Sequence, residues 1–409
     1  MLTAYFKNPR ILARYEQGPA GPELEAFAAW LAQRGFQRSS VCRCIRVAHK
    51  FTLWGIDAGL TLPRLDRDAL AAFAEPLRLK HSSGGFQRAL AGAGHFVDFL
   101  AATHRLLEPA PDASTPPEPA LIGAFYSWMR AQRGTLDTTL NNYRLTLLDL
   151  LRTLGERPER YDAKALRGFV LDRASRHGPG HAKQVVTAAR MFLRFLTATG
   201  QCAAGLDRAI PTIAHWRLAS LPKYLSHEEV ERVIASCDLT RPIGVRDRAV
   251  LLLLARLGLR AGDVAGLTLT AIDWRAGTVL VAGKSRRECR LPLPQDAGDA
   301  ILAYLQQRPL VNDAHLFLTA LAPLHALSYQ TVGQIVTRAM QRASIEVPRH
   351  GAHVLRHSAA TGMLREGMSL TSIGGVLRHA SIETTAIYAK VDVQLLREIA
   401  KPWPEATSC

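Results

Sequence analysis

Toward its C-terminal end the sequence reads His353-Val-Leu-Arg356-His-Ser, then His379, then Tyr388 nine positions later. A second arginine, Arg260, stands far upstream in Gly-Leu-Arg260-Ala-Gly-Asp263. Two guanidiniums, two imidazoles and a phenol are the groups that phosphoryl transfer needs when no metal takes part. Guanidinium forks match pairs of phosphate oxygens and neutralise the charge that gathers there in the transition state. A phenol can attack phosphorus in line and hold it covalently, which conserves the bond energy for a second transfer. His353 and His357 also stand four apart, a spacing that zinc ligands use on a helix. The glutamate of an H-E-x-x-H motif is missing and no third ligand is evident, so neither a metal nor a cofactor is called for.

These residues must be brought together by elements legible in the pattern. Leu225-Ser226-His-Glu-Glu229 reads as a helix start, with serine at the N-cap and glutamate three positions on. The apolar run from Arg246 to Leu257 reads as a buried helix ending at Gly258, which leaves Arg260 at a turn. Ala271–Trp274 and Thr278–Val281 flank Arg-Ala-Gly and read as a hairpin. A second turn carrying Lys284, Arg286 and Arg287 leads to a third strand at Cys289–Leu293. The pattern from Ala297 onward is helical, including a stripe of Val391, Leu395, Leu396 and Ile399 after the tyrosine. The expected fold class is multidomain. Two mainly α-helical modules precede an α+β region with a small three-stranded antiparallel sheet.

The first two parts resemble each other. Ala26-Phe-Ala-Ala-Trp30 through Gly35 matches Ala124-Phe-Tyr-Ser-Trp128 through Gly134 with one inserted residue. Each part closes on a similar segment, His95-Phe-Val-Asp-Phe-Leu100 and Met191-Phe-Leu-Arg-Phe-Leu196. Proline-rich stretches at Glu108–Pro119 and Ile210–Pro222 separate the parts. The reading is a helical domain at 1–110, a second helical domain at 118–210, and a catalytic domain at 221–409.

At 409 residues, 48% hydrophobic, with a mean hydropathy of zero, the chain is long enough for several cores and too apolar to be disordered. Its formal net charge of +16 is spread as +4 over 1–112, +7 over 113–220 and +5 over 221–409. A distributed basic excess suits contact with a polyanion along much of the length. Arg144, Arg152, Lys183, Arg190 and Arg194 in the second part, with Arg286 and Arg287 in the turn, are the candidate phosphate contacts. Six cysteines without a C-x-x-C pair read as reduced thiols. The N-terminus lacks the apolar run of a signal peptide, and the longest apolar stretch, near Ala249–Ala255, falls far short of a membrane span. The expected setting is cytoplasmic, nucleoid-associated when DNA-bound, with no membrane.

Taken in order, these motifs resemble the tyrosine recombinases, the phage integrase family of site-specific DNA recombinases. The resemblance implies that Arg260 and Arg356 clamp the phosphate, that Asp263 orients the site, and that His353 and His379 assist. It implies that Lys284, in the turn between the second and third strands, is the general acid, and that Tyr388 is the nucleophile. It implies a 3′-phosphotyrosine link, double-stranded DNA as partner, no cofactor, and a homotetramer on DNA or an assembly with related recombinases. The segment after the tyrosine packs on a neighbouring protomer in that family. Two departures stand out: Arg378 occupies a place where glycine commonly precedes the second histidine, and the first helical part is one most members lack. That extra part points to a mobile-element recombinase. A type IB topoisomerase and a non-catalytic DNA-binding protein of the same fold are the rival readings.

Overall fold

The computed structural model describes residues 1–80, 82–106, 118–176, 178–212, 221–282, 288–346, 351–379 and 381–391. The chain forms two compact units, one made of Met1–Pro109 with Leu221–Cys409, the other of Ala110–Ser220.

Ala110–Ser220 is helical. Its long helices are Ala120–Arg133, Asp137–Leu154, Ala163–Arg176 and Pro179–Ala198. Glycines end the first two: Gly134 takes a left-handed conformation at φ 55° and Gly155 sits at φ 84°, where a β-carbon would be strained. The interior is built on rings. Phe125 lies 5.6 Å from Phe192 and 5.7 Å from Phe195, and Trp128 lies 5.8 Å from Phe195 (centroid distances).

The first hundred residues repeat this plan with helices Gly21–Gln33, Arg38–Asp57, Arg67–Lys80 and Ser83–Ala102. Phe27 lies 5.1 Å from Phe96 and 5.5 Å from Phe99, and Trp30 lies 6.0 Å from Phe99. Each ring thus has its counterpart at the matching position of the second module. An additional helix, Pro9–Glu16, precedes the four and was not visible in the apolar pattern. Asn8 starts it by accepting a hydrogen bond from the Arg10 N–H, and proline occupies its first turn.

From Leu221 the character changes. Ser226 caps the helix His227–Ala235, and its own N–H is received by Glu229, the reciprocal pair read from the sequence. The Pro242–Leu257 helix is almost wholly buried and packs against the Gln295–Leu305 and Ala352–Arg365 helices. It begins four residues before the apolar run because proline is tolerated at a first helical position. It ends at Gly258, left-handed at φ 58°. A β-carbon there would lie 2.6 Å from the Leu377 side chain, so glycine is required both for its backbone angle and for its bareness.

Three antiparallel strands follow in the order β1 (Ile272–Asp273), β2 (Thr278–Ala282) and β3 (Glu288–Pro292). Val279 and Val281 bury one face of β2, opposite Leu291 and Cys289. The outer strands differ slightly from the sequence reading. β1 is two residues long, and β3 begins one residue earlier and stops at Pro292, which has no N–H with which to extend the ladder. Ser358 ties the start of this region to the Ala352–Arg365 helix: its hydroxyl accepts from the Leu225 N–H at 2.8 Å and donates to the Val354 carbonyl at 2.9 Å.

Candidate active site

Arg260 lies just beyond Gly258 and opens the short helix Ala261–Ala265. Its backbone N–H donates to the Asp263 carboxylate at 2.9 Å. Its guanidinium donates through Nη2 to the carbonyl of Arg378 at 3.2 Å. Arg356, from the Ala352–Arg365 helix, is buried and makes short hydrogen bonds to the carbonyls of Gly258 and Leu377. Residues a hundred positions apart are thereby joined. The carbonyls of Leu377 and Arg378 are consecutive at the C-terminal end of the Leu370–Val376 helix, where unpaired carbonyls concentrate negative charge. Each receives one of the two guanidiniums.

Burial, and next the neighbouring Arg260, push the Arg356 guanidinium down to about 10. It stays protonated at neutral pH. Two cations held this close favour an incoming anion, because a phosphodiester would relieve their mutual repulsion as well as pair with each.

His379 follows Arg378 directly. Its Nδ1 lies 2.7 Å from the hydroxyl of buried Thr385. Burial, then Arg356 and Arg260, bring its imidazole down to about 4, so the ring is neutral at ordinary pH. His353, on the first turn of the Ala352–Arg365 helix, is exposed at the rim. Crowding by protein atoms, with Arg356 and Arg260, moves it below the ordinary imidazole range as well.

Tyr388 sits in the 3₁₀ turn Ala386–Val391 and is only 1% exposed, among Ala360, Ile373 and Leu377. Burial raises its phenol above the usual range, and Arg356 partly offsets this. The hydroxyl lies 2.9 Å from Nδ1 of His357. Burial, then His353 and Arg356, hold His357 down to about 4, so it is a neutral partner for a protonated phenol. The sequence reading gave His353 an assisting role, and the imidazole at the hydroxyl is that of His357. Its ring centroid stands 6.2 Å from that of His353, one helical turn away.

Five of the named residues, Arg260, Asp263, Arg356, His379 and Tyr388, are therefore gathered around the segment Leu377 to His379, with His353 at the edge. Lys284, Arg286 and Arg287 lie outside the described residues, as does the apolar stripe from Leu395 to Ile399. Three contributors went unassigned in the sequence. His357 was weighed only as a metal ligand, although its place beside Arg356 and one turn from His353 puts it on the same helix face. Thr385 and the side chain of Arg378 gave no signal of a role, since their partners are tertiary. Among the described residues no group of three or more His, Cys, Asp or Glu side chains is arranged to hold a metal ion. No helix among them is long and apolar enough to cross a membrane.

The candidate phosphate contacts of the second module divide in two. Arg152 and Lys183 are exposed. Arg144 is tied to Glu118 at 2.7 Å, Arg194 to Asp207 at 3.1 Å, and Arg190 to the Ile210 carbonyl and the Thr212 hydroxyl at 2.8 and 2.9 Å.

Helical modules ahead of an α+β region, with two arginines bonded to adjacent carbonyls beside one buried tyrosine, make the plan of a DNA strand-exchanging enzyme. The model of the phage integrase family matches residues 223–394. The integrase/recombinase y4rA of Sinorhizobium fredii is 35% identical over 98% of this chain and 98% of its own length. The tyrosine recombinase XerD of Lacticaseibacillus casei is 29% identical, covering 68% of this chain and 95% of the relative. Among solved structures, XerH site-specific recombinase bound to a palindromic difH substrate superposes with a TM-score of 0.58 at 22% identity, covering 69% of this chain and 85% of that one. The chain belongs to the phage integrase family, the tyrosine recombinases.

Proposed function

We propose that this chain is a site-specific recombinase that cleaves and rejoins double-stranded DNA through a 3′-phosphotyrosine intermediate. The observation that carries the reading is the pairing of Arg260 and Arg356 on the adjacent carbonyls of Arg378 and Leu377, with the buried Tyr388 phenol 2.9 Å from His357, the residue next to Arg356. Arg260 and Arg356 take the non-bridging oxygens of the scissile phosphate and neutralise charge as it redistributes. Neutral His379 donates a further hydrogen bond to one of them, its Nδ1 being engaged by Thr385. His357 orients the phenol, and either it or His353 receives the phenolic proton.

The Tyr388 oxygen attacks phosphorus, the bond from phosphorus to the 5′ oxygen breaks, and Lys284 supplies the proton to that oxygen. A 3′-phosphotyrosine and a free 5′-hydroxyl result. The hydroxyl of a partner strand reverses the step and exchanges the strands. Because Tyr388 is buried and its phenol raised, the DNA-free chain holds its nucleophile protonated and covered. Entry of a phosphate and movement of the 386–391 turn must precede attack.

The domain plan read from the sequence (1–110, 118–210 and 221–409) is kept here, with the first module as a repeat of the second. The matched quartets Phe27, Trp30, Phe96, Phe99 and Phe125, Trp128, Phe192, Phe195 support the repeat. In the second module exposed Arg152 and Lys183 are the phosphate contacts, and the working form is a tetramer on two DNA sites. The mobile-element setting rests on the first module, which the full-length match to y4rA includes and which leaves XerD with 68% of this chain. Trapping on a nicked suicide substrate tests the reading. An SDS-resistant protein–DNA adduct is expected, and a DNA-binding protein of this fold without activity would give none.

A further inference from the structure

Arg378 holds an uncomfortable position. Its φ of 53° is left-handed, a conformation that L side chains rarely adopt. Its side chain is 9% exposed, and two of its nitrogens, Nε and Nη1, are buried without a hydrogen-bond partner. Glycine would remove both penalties. Something must therefore compensate for the arginine, and the contacts of its third nitrogen and of its carbonyl show what it does.

Nη2 of Arg378 pairs with Oδ2 of Asp263, whose side chain is 8% exposed. The same Oδ2 accepts the backbone N–H of Arg260 at 2.9 Å. The Arg260 guanidinium returns to the Arg378 carbonyl at 3.2 Å. The three residues thus form a closed loop, Arg378 side chain to Asp263, Asp263 to Arg260 backbone, Arg260 side chain to Arg378 backbone. The left-handed turn at residue 378 shapes the local path of the chain, and the N–H of Arg378 and that of His379 fold back to Gly375 and Gly374 at 3.0 and 2.9 Å. Without the side chain of residue 378, the segment carrying His379 would be joined to the Arg260 turn by one carbonyl hydrogen bond alone within this loop.

We propose that Arg378 is a positioning residue that fixes the Arg260 guanidinium against the His379 segment through Asp263. This rests on the reading that Arg260 clamps the scissile phosphate. Arg378 itself touches no reacting atom, since its free nitrogens are sealed from solvent. It acts on the rate by removing the freedom of Arg260 to swing off its carbonyl. Misplacement of a clamping group by about an ångström lowers a rate by up to about a hundredfold.

The test is single-turnover adduct formation on a nicked suicide substrate, with DNA affinity measured alongside. Arg378→Gly, which relieves the backbone, is expected to slow cleavage about 10- to 100-fold while leaving affinity within about threefold. Arg378→Lys, which keeps the charge but loses the planar fork, should fall between. The deciding measurement is the double variant. If Arg378 acts through Arg260, adding Arg378→Gly to Arg260→Lys costs no more than about twofold beyond Arg260→Lys alone. A general structural role would make the two losses multiply. Wild-type cleavage by Arg378→Gly, or multiplying losses, overturns the proposal. Unchanged cleavage by Arg260→Lys would instead overturn the reading of the clamp beneath it, and the proposal with it.

Discussion

In the two helical modules the buried contacts are ring against ring; where Arg260 and Arg356 meet the Leu377–Arg378 turn they are guanidinium against carbonyl. Phe27, Trp30, Phe96 and Phe99 reproduce the packing of Phe125, Trp128, Phe192 and Phe195 at nearly the same spacings. Such a core needs only bulk and apolar surface at helical intervals, so one plan serves twice within a chain. The pocket has no such latitude. Arg356 satisfies two carbonyls contributed by separate elements, and Arg260 a third. Each contact is directional, and losing either contact of Arg356 leaves a buried carbonyl unpaired, whereas the contact of Arg260 is only half-buried. Rings set how firmly the modules hold together, whereas the guanidiniums set what the pocket can bind.

Substitutions that separate stability from chemistry test this contrast. The largest effect is expected for Arg260→Ala. Strand cleavage should fall about 10³- to 10⁵-fold, as when an arginine is withdrawn from a phosphoryl-transfer site. The urea midpoint should hardly move, since the side chain is partly exposed. A large drop in that midpoint would mean that Arg260 is mainly structural.

Next come the rings. Phe27→Ala and Phe125→Ala should each cost about 3–5 kcal/mol locally, and by amounts within about 1 kcal/mol of each other. Amide exchange in the Ser83–Ala102 and Pro179–Ala198 helices would report each module separately. A markedly smaller cost in the first module would mean that its quartet is not equivalent to the second.

A smaller effect concerns pH. His357 and His379 are both depressed to about 4, first of all by burial. Unfolded imidazoles take protons near ~6.5, so between there and 4 the unfolded chain binds more protons than the folded one. Their contribution to stability is complete above the unfolded value and is lost as pH falls towards 4. The urea midpoint should decline from pH 6.5 to 5, less steeply in His357→Gln. A midpoint that rises over this interval would contradict the neutral assignment.

Smallest are the surface charges of the second module. Replacing exposed Arg152 or Lys183 with alanine should weaken DNA binding by about 1 kcal/mol or less and lower the slope of log affinity against log salt by about one unit each. Arg190 and Arg194, already engaged by Ile210, Thr212 and Asp207, should have less effect. The reverse order would show that those internal contacts give way on DNA.

What was legible in the sequence follows the same division. The helix start at Ser226, the stop of the following helix at Gly258, the three-stranded sheet and the repeated ring pattern are local or periodic, and the chain states them directly. The order of Arg260, His353, Arg356, His379 and Tyr388 was legible because those residue types carry their chemistry with them. The contact between His357 and Tyr388 was not, nor was the loop through Arg378. Both depend on where distant segments lie, and no spacing along the chain encodes that. Arg190 and Arg194 read as candidate phosphate contacts for the same reason, since their internal partners lie 13 to 22 residues away. An extra helix at Pro9–Glu16 escaped because it buries a single residue, Tyr15.

The central claim is that Tyr388 attacks DNA from a pocket made by Arg260 and Arg356. Its most direct test compares wild type with Tyr388→Phe on a nicked suicide substrate, scoring SDS-resistant adduct and DNA affinity together. The account predicts that the adduct disappears while affinity stays within a few fold. An adduct that persists in Tyr388→Phe would contradict it.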